Sequence, residues 1–140
     1  MNKSQYSQKE LIDHLKFLFP LCRSITGDGA RSTLEYFEKF HSEYKRLKFK
    51  SGCKVLDWEI PKEWNIKDAY IEHIETKTRY AEFKKNNLHI VNYSEPINTE
   101  IEYEELLPRI HTLNDFPHWI PYITSYYKSY WYYGIHWANR

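Results

Sequence analysis

The apolar residues keep helical spacing as far as about Glu43 and lose it from there on. A chain whose hydrophobic period changes once in this way must join two kinds of secondary structure rather than build one. Ser7, with Glu10 three residues later, makes a capping box ahead of Leu11, Ile12, Leu15 and Leu18, whose spacing puts them on one helical face. Pro20 ends that helix. Residues 22–29 read as a loop, because Thr26-Gly27-Asp28-Gly29 cannot comfortably continue a helix. Asp28 is the expected cap of a second helix carrying Ala30, Leu34, Phe37 and Phe40 at helical spacing.

Beyond Glu43, Leu47 and Phe49 alternate with lysines as in a half-exposed strand. Ser51-Gly52 marks a turn, and 55–60 reads as a second strand stopped by Pro61. Three more short strands are predicted over 69–74, 79–83 and 88–92, with turns at 76–78 and 85–87. Strands so closely spaced suggest a small antiparallel sheet or sandwich. A short helix is expected over 104–110, limited by Pro108. The stretch 111–131, rich in Tyr, Trp and Pro, takes no assignment. The fold class is α+β: two N-terminal amphipathic helices, then a small antiparallel β-rich domain. The division is a helical segment at 1–45, a β-rich domain at 46–131 and a divergent tail at 132–140.

Composition excludes several classes of function. Hydrophobic residues make up 41% and charged residues 28%, the balance of a globular chain. The formal charge of +1 lacks the basic excess of a nucleic-acid binder, and no Lys/Arg cluster stands on its own. The longest nearly apolar run, 17–22, is too short to span a bilayer, and the N-terminus has no apolar signal core. Cys22 and Cys53 read as reduced thiols. The expectation is a cytoplasmic protein with neither nucleic acid nor membrane as partner. Aromatic residues, at 18%, favour half-buried surfaces that meet something else.

Among residues that could carry chemistry, the seven histidines (His14, His41, His73, His89, His111, His118 and His136) show no zinc-ligand spacing and read as structural. The loop Arg23-Ser24-Ile25-Thr26-Gly27-Asp28-Gly29 leads its amides into a helix N-terminus, which favours an anion. It lacks the Gly-Lys-Ser/Thr ending of a phosphate loop and reads more simply as a helix–helix connection pinned by Arg23 and Asp28. Asp57-Trp58-Glu59 and Glu63-Trp64 place carboxylates beside indoles, but a strand with one buried and one solvated face accounts for the first of them. Residues 117–127 form the densest aromatic stretch, suited to an interface or a core.

Taken together, these pieces resemble a bacterial family of aminopeptidase-like zinc proteins that carry domains of unknown function. The matching pieces are Arg23-Ser24-Ile25-Thr26-Gly27 with Arg31 and Thr33-Leu34, then Asp57-Trp58-Glu59-Ile60-Pro61-Lys62-Glu63-Trp64-Asn65-Ile66-Lys67-Asp68-Ala69-Tyr70-Ile71. They continue with Asn87-Leu88-His89-Ile90-Val91-Asn92-Tyr93-Ser94, His111-Thr112-Leu113 and Ile120-Pro121-Tyr122-Ile123-Thr124-Ser125-Tyr126-Tyr127. The resemblance covers about residues 10 to 131 and implies the truncated N-terminal part of an α/β zinc exopeptidase-like fold with an inserted β domain. It implies zinc in the parent family, encoded near polysaccharide-biosynthesis genes, and places no catalytic or metal residue, and hence no cofactor, in this chain. The expected partner is the missing C-terminal catalytic domain, with self-association through exposed apolar helix faces as a consequence of its absence. Arg23, Tyr122, Thr124 and Tyr126 are the residues expected to line a pocket or interdomain surface. The competing reading is a stand-alone β-rich module presenting Trp119, Tyr122, Tyr126 and Tyr127 to a glycan or a peptide.

Overall fold

Ser7 caps the first helix as its sequence demands. Its hydroxyl accepts from the Glu10 amide (3.3 Å) and its own amide donates to the Glu10 carboxylate (2.6 Å). The computed structural model describes residues 7–24 and 26–125 together with the backbone of strand Tyr133–Gly134. It has an α+β fold, and it divides after Glu63 into two compact units.

In the first unit, α1 spans Gln8–Leu18 and α2 spans Asp28–Glu38. The helices touch through aromatic rings: Phe17 stacks on Tyr36 at 4.2 Å, and His14 lies edge-on to Phe40 at 5.0 Å. The His14 Nδ1 is 2.6 Å from the Tyr36 hydroxyl. Of the apolar stripe on α1 only Leu18 is buried, while Leu11, Ile12 and Leu15 stand exposed. The cap of α2 is Gly27, at φ 99°, and Asp28 is its first residue rather than its cap. The acid still sits where the helix dipole favours it.

The stretch expected as one strand over 55–60 is a hairpin. Strand β1, Lys54–Val55, pairs antiparallel with β2, Trp58–Glu59, and Gly52 donates to the Ile60 carbonyl (2.8 Å) at its base. Leu56 takes the tip at φ 55°, a left-handed conformation that a leucine rarely adopts. Neither strand buries a face, so the alternation of 55–60 does not separate a core side from a solvent side. Leu47 and Phe49 lie in irregular chain, and among the described residues no strand pairs with them.

The second unit has a buried centre. Ala81 and Ile90 are enclosed by Trp64, Ile66, Ala69, Ile71, Phe83 and Ile110, and Val91 and Tyr93 are buried as well. Strands β3 (Ile71–Glu72) and β4 (Arg79–Tyr80) form an antiparallel hairpin, fastened on its outer side by Arg79 to Glu72 at 3.0 Å. The Arg79 guanidinium also lies over the Tyr70 ring at 4.0 Å. The predicted strand at 88–92 is instead a 3-10 turn, Asn87–His89, begun by the Asn86 side chain accepting from the Leu88 amide at 3.0 Å. Short helix α3 is Tyr103–Leu106, continued by a 3-10 turn at Leu107–Arg109. Strand β5, Ile110–His111, then pairs with β6, Tyr133–Gly134, and the pairing is parallel, not antiparallel. A parallel pair needs a long return connection and leaves no turn signal to read in advance.

Because burial differs so much between the units, substitutions should separate them. Ile90→Ala is expected to cost about 3 kcal/mol in chemical denaturation. Leu15→Ser, on the exposed stripe of α1, is expected to cost less than about 0.5 kcal/mol and to reduce any concentration-dependent association seen by sedimentation velocity.

Candidate functional site

Two places invite a functional reading: the loop at 22–29 in the first unit and the aromatic segment 113–125 in the second. The loop is held from within and from its far side. Ser24 is buried and its hydroxyl donates to the Thr26 carbonyl. The Thr26 hydroxyl reaches the Lys62 carbonyl at 3.4 Å. Gly29 lies so near the Cys22 backbone that an added Cβ would meet the Cys22 carbonyl oxygen at 1.9 Å. The Thr33 hydroxyl then donates back to the Gly29 carbonyl at 2.8 Å.

Arg31 is the hub of this arrangement. Its guanidinium grips Glu63 with two bonds, at 2.6 and 3.0 Å, and Asp28 at 2.5 and 3.2 Å. The hydrogen bond from Arg31 holds the Glu63 carboxyl below the usual carboxylate range, and the two acids push the arginine further up. A guanidinium already matched by two carboxylates has little left for an anionic ligand, so the loop is a connection. It is pinned by Arg31, Asp28 and Glu63 rather than by Arg23, which stands exposed. Burial pushes the Cys22 thiol up, away from the thiolate a nucleophile needs.

In the second unit, Phe116 and Trp119 stack at 4.7 Å with both rings largely in solvent. They are set by successive turns in which the Phe116 amide donates to Leu113 (3.2 Å) and the Trp119 amide to Phe116 (2.9 Å). Residues 121–125 then alternate: Pro121, Ile123 and Ser125 turn inward, Tyr122 and Thr124 outward. The Ser125 hydroxyl fixes this segment by donating to the Asn92 carbonyl at 2.8 Å. Tyr122 is 71% exposed. Of the four residues expected to line a surface, Arg23 lies in the first unit and Tyr122 and Thr124 share one side of this segment in the second. Tyr126, like Tyr127, falls outside the described residues.

Several of the described histidines have local partners. His14 meets Tyr36, His41 meets Glu43 (3.4 Å), the His73 Nδ1 accepts from the Thr76 amide (3.3 Å), and the His89 Nδ1 faces the Glu82 carbonyl (2.9 Å). A carbonyl partner requires His89 Nδ1 to carry its proton. Among the described residues no group of three or more His, Cys, Asp or Glu side chains converges as metal ligands would. A zinc site needs at least three protein ligands, a set that the described residues do not bring together.

Sequence reasoning found the loop but missed its hub. Arg31 and Glu63 are 32 residues apart and give no local sign of pairing. Glu63-Trp64 turns out to be two separate anchors. The acid goes to Arg31, while the indole N–H donates to the Ser94 carbonyl at 2.9 Å.

A family model described as "Domain of unknown function (DUF2172)" matches residues 63–140. A Clostridium acetobutylicum protein described as "Putative polysaccharide biosynthesis protein with aminopeptidase-like domain" is 45% identical over 122 residues, covering 87% of this chain and 28% of its own. A crystal structure of a "putative peptidase" from Clostridium acetobutylicum is 43% identical with a TM-score of 0.86, over 91% of this chain and 30% of that one. The chain therefore spans less than a third of the length of either relative.

Two outcomes follow from the loop. Gly29→Ala must push the Cys22 backbone away and is expected to cost about 2 kcal/mol, measured as a fall in the denaturation midpoint. Glu63→Gln is expected to lower Tm at neutral pH. Glu63 has a depressed folded pKa, so its contribution is complete above the ordinary carboxylate range and is lost as pH falls through the depressed value. The difference in Tm between the native chain and the variant should therefore close on acidification.

Proposed function

The chain belongs to the DUF2172 family, and from that premise we propose that it is the N-terminal part of a zinc aminopeptidase-like protein and is inactive by itself. The observation that carries the reading is the coverage. Nearly the whole chain aligns with under a third of a relative named for its aminopeptidase-like domain. Hydrolysis by a zinc enzyme needs a metal-bound water held by converging ligands. In this reading those ligands belong to the part of the relatives that the chain does not span. The reading keeps residues 46–131 as the inserted β-rich domain and places Arg23, Tyr122, Thr124 and Tyr126 on surfaces facing the catalytic domain. It also places the protein in the cytoplasm, and no helix among the described residues is long and apolar enough to cross a membrane.

A second reading, a binding module for a glycan or a peptide, is favoured by one observation. The exposed Phe116–Trp119 stack, with exposed Tyr122 three residues further along the chain, offers aromatic surface of the kind that costs free energy to leave in water.

The purified chain, supplied with zinc, is expected to show no release of p-nitroaniline from amino-acid p-nitroanilides and no stoichiometric zinc binding by calorimetry. Turnover that is lost on chelation and restored by zinc would overturn the first reading. Saturable binding of an oligosaccharide or peptide, abolished by Trp119→Ala, would bring the second forward.

A further inference from the structure

Between Tyr44 and Leu56 the chain carries Lys45, Arg46, Lys48, Lys50 and Lys54 and no acidic residue, the next acids being Asp57 at the hairpin tip and Glu59 in register with Lys54. Spread among apolar residues, these cations do not stand out as a basic cluster in the sequence, but the structure leaves every residue of this stretch exposed. Arg46 is spent on Glu35 (3.2 Å) and Glu38 (2.6 Å). Among the described residues no ion pair engages Lys45, Lys48, Lys50 or Lys54. The apolar residues threaded between them are equally open: Leu47 is 79% exposed, Phe49 65% and Leu56 97%. Leu56 is moreover held outward at the tip of a hairpin in a left-handed conformation, at φ 55°, a costly place for a leucine unless something outside the hairpin receives it.

We propose that residues 45–56 form a docking surface for an anionic lipid bilayer, with the four lysines on the headgroups and Leu47, Phe49 and Leu56 entering the interfacial layer. An aqueous anion would match the charge but not the apolar side chains. An acidic protein surface fits less well, because lysine is depleted from protein interfaces, where arginine is the usual cation. Lysine stems, by contrast, lie along apolar surface while their ammonium groups stay at the headgroup level. Basic and apolar residues combined in this way bind membrane surfaces without crossing them. The expectation that a membrane is no partner rested on the lack of a spanning run, which does not bear on a segment lying at the surface.

The test is co-sedimentation of the purified chain with phosphatidylcholine vesicles and with vesicles of equimolar phosphatidylcholine and phosphatidylserine. The chain is expected to pellet with the mixed vesicles alone, and less as salt is raised. Each lysine near an anionic surface contributes about fivefold in partition, so replacing all four by Ala should lower binding by several hundredfold, about 600-fold if the four contributions multiply. Leu56→Ser should weaken it roughly tenfold. Both variants change exposed residues, and unchanged far-UV circular dichroism would verify that they fold. No binding to mixed vesicles, equal binding to neutral ones, or quadruple-variant binding like that of the native chain would overturn the proposal. So would capture by soluble polyglutamate as strong as that by vesicles and indifferent to Leu56→Ser.

Discussion

The second unit is organised around the Trp64 indole. Its N–H donates to the Ser94 carbonyl and its ring lies over Tyr93 at 6.1 Å, so residues at the start of the unit are fastened to its buried centre. The Ser94 carbonyl is set for this by a turn in which the Ser94 amide and hydroxyl both donate to Val91 (3.2 and 2.6 Å). The turn takes Tyr93 to φ 64°, a conformation that costs a non-glycine residue about 1–2 kcal/mol. Burial of Val91 and of Tyr93 itself offsets that cost. The strain persists because the surrounding packing over-determines it.

Among its described residues the first unit has no comparable centre. Two helices of 11 residues are each near the length at which isolated helices are marginal in water. Their capping box, the Arg31 hub and the rings of Phe17, Tyr36 and His14 hold them locally. Apolar side chains on both helices nevertheless remain in solvent. Both relatives are more than three times as long as the stretch they share with this chain. An amphipathic helix whose stripe is not covered by its own unit has the pattern of an element that takes its stability from elsewhere.

How much of this was legible in the sequence depended on the range of the interaction responsible. The helices were, because Ser7 and Glu10 signal a start across three residues and Pro20 a stop. The hairpin at 54–59 was not, because its tip is Leu56-Asp57 rather than the Asn-Gly or Asp-Gly that announces a two-residue turn. Leu47 and Phe49 alternate like a strand, but alternation without a pairing partner makes none. At 88–92 the apolar run reads as a strand until the Asn86 side chain captures the Leu88 amide and curls the chain. Of the candidate site, the loop at 22–29 was found from its glycines, and Gly29 does mark a close backbone approach. Its real anchor, Arg31 to Glu63, depends on tertiary placement and has no signature in spacing.

A catalytic centre needs polar groups with hydrogen-bonding or charge capacity left over, brought together where water is excluded. In the described residues the prominent charged groups are matched to one another. Arg31 takes Asp28 and Glu63, Arg79 takes Glu72, and Lys84 takes Asp68, whose carboxyl the lysine holds below its usual range. Lys85 takes Glu82. Such pairs lie on the surface and fix local geometry rather than poise a proton. What is left unmatched is of another kind: the stripe of α1, the Phe116–Trp119 stack, and the lysines and apolar residues of 45–56. Among the described residues, charges matched in pairs thus stand beside apolar and aromatic surfaces that their own unit leaves open.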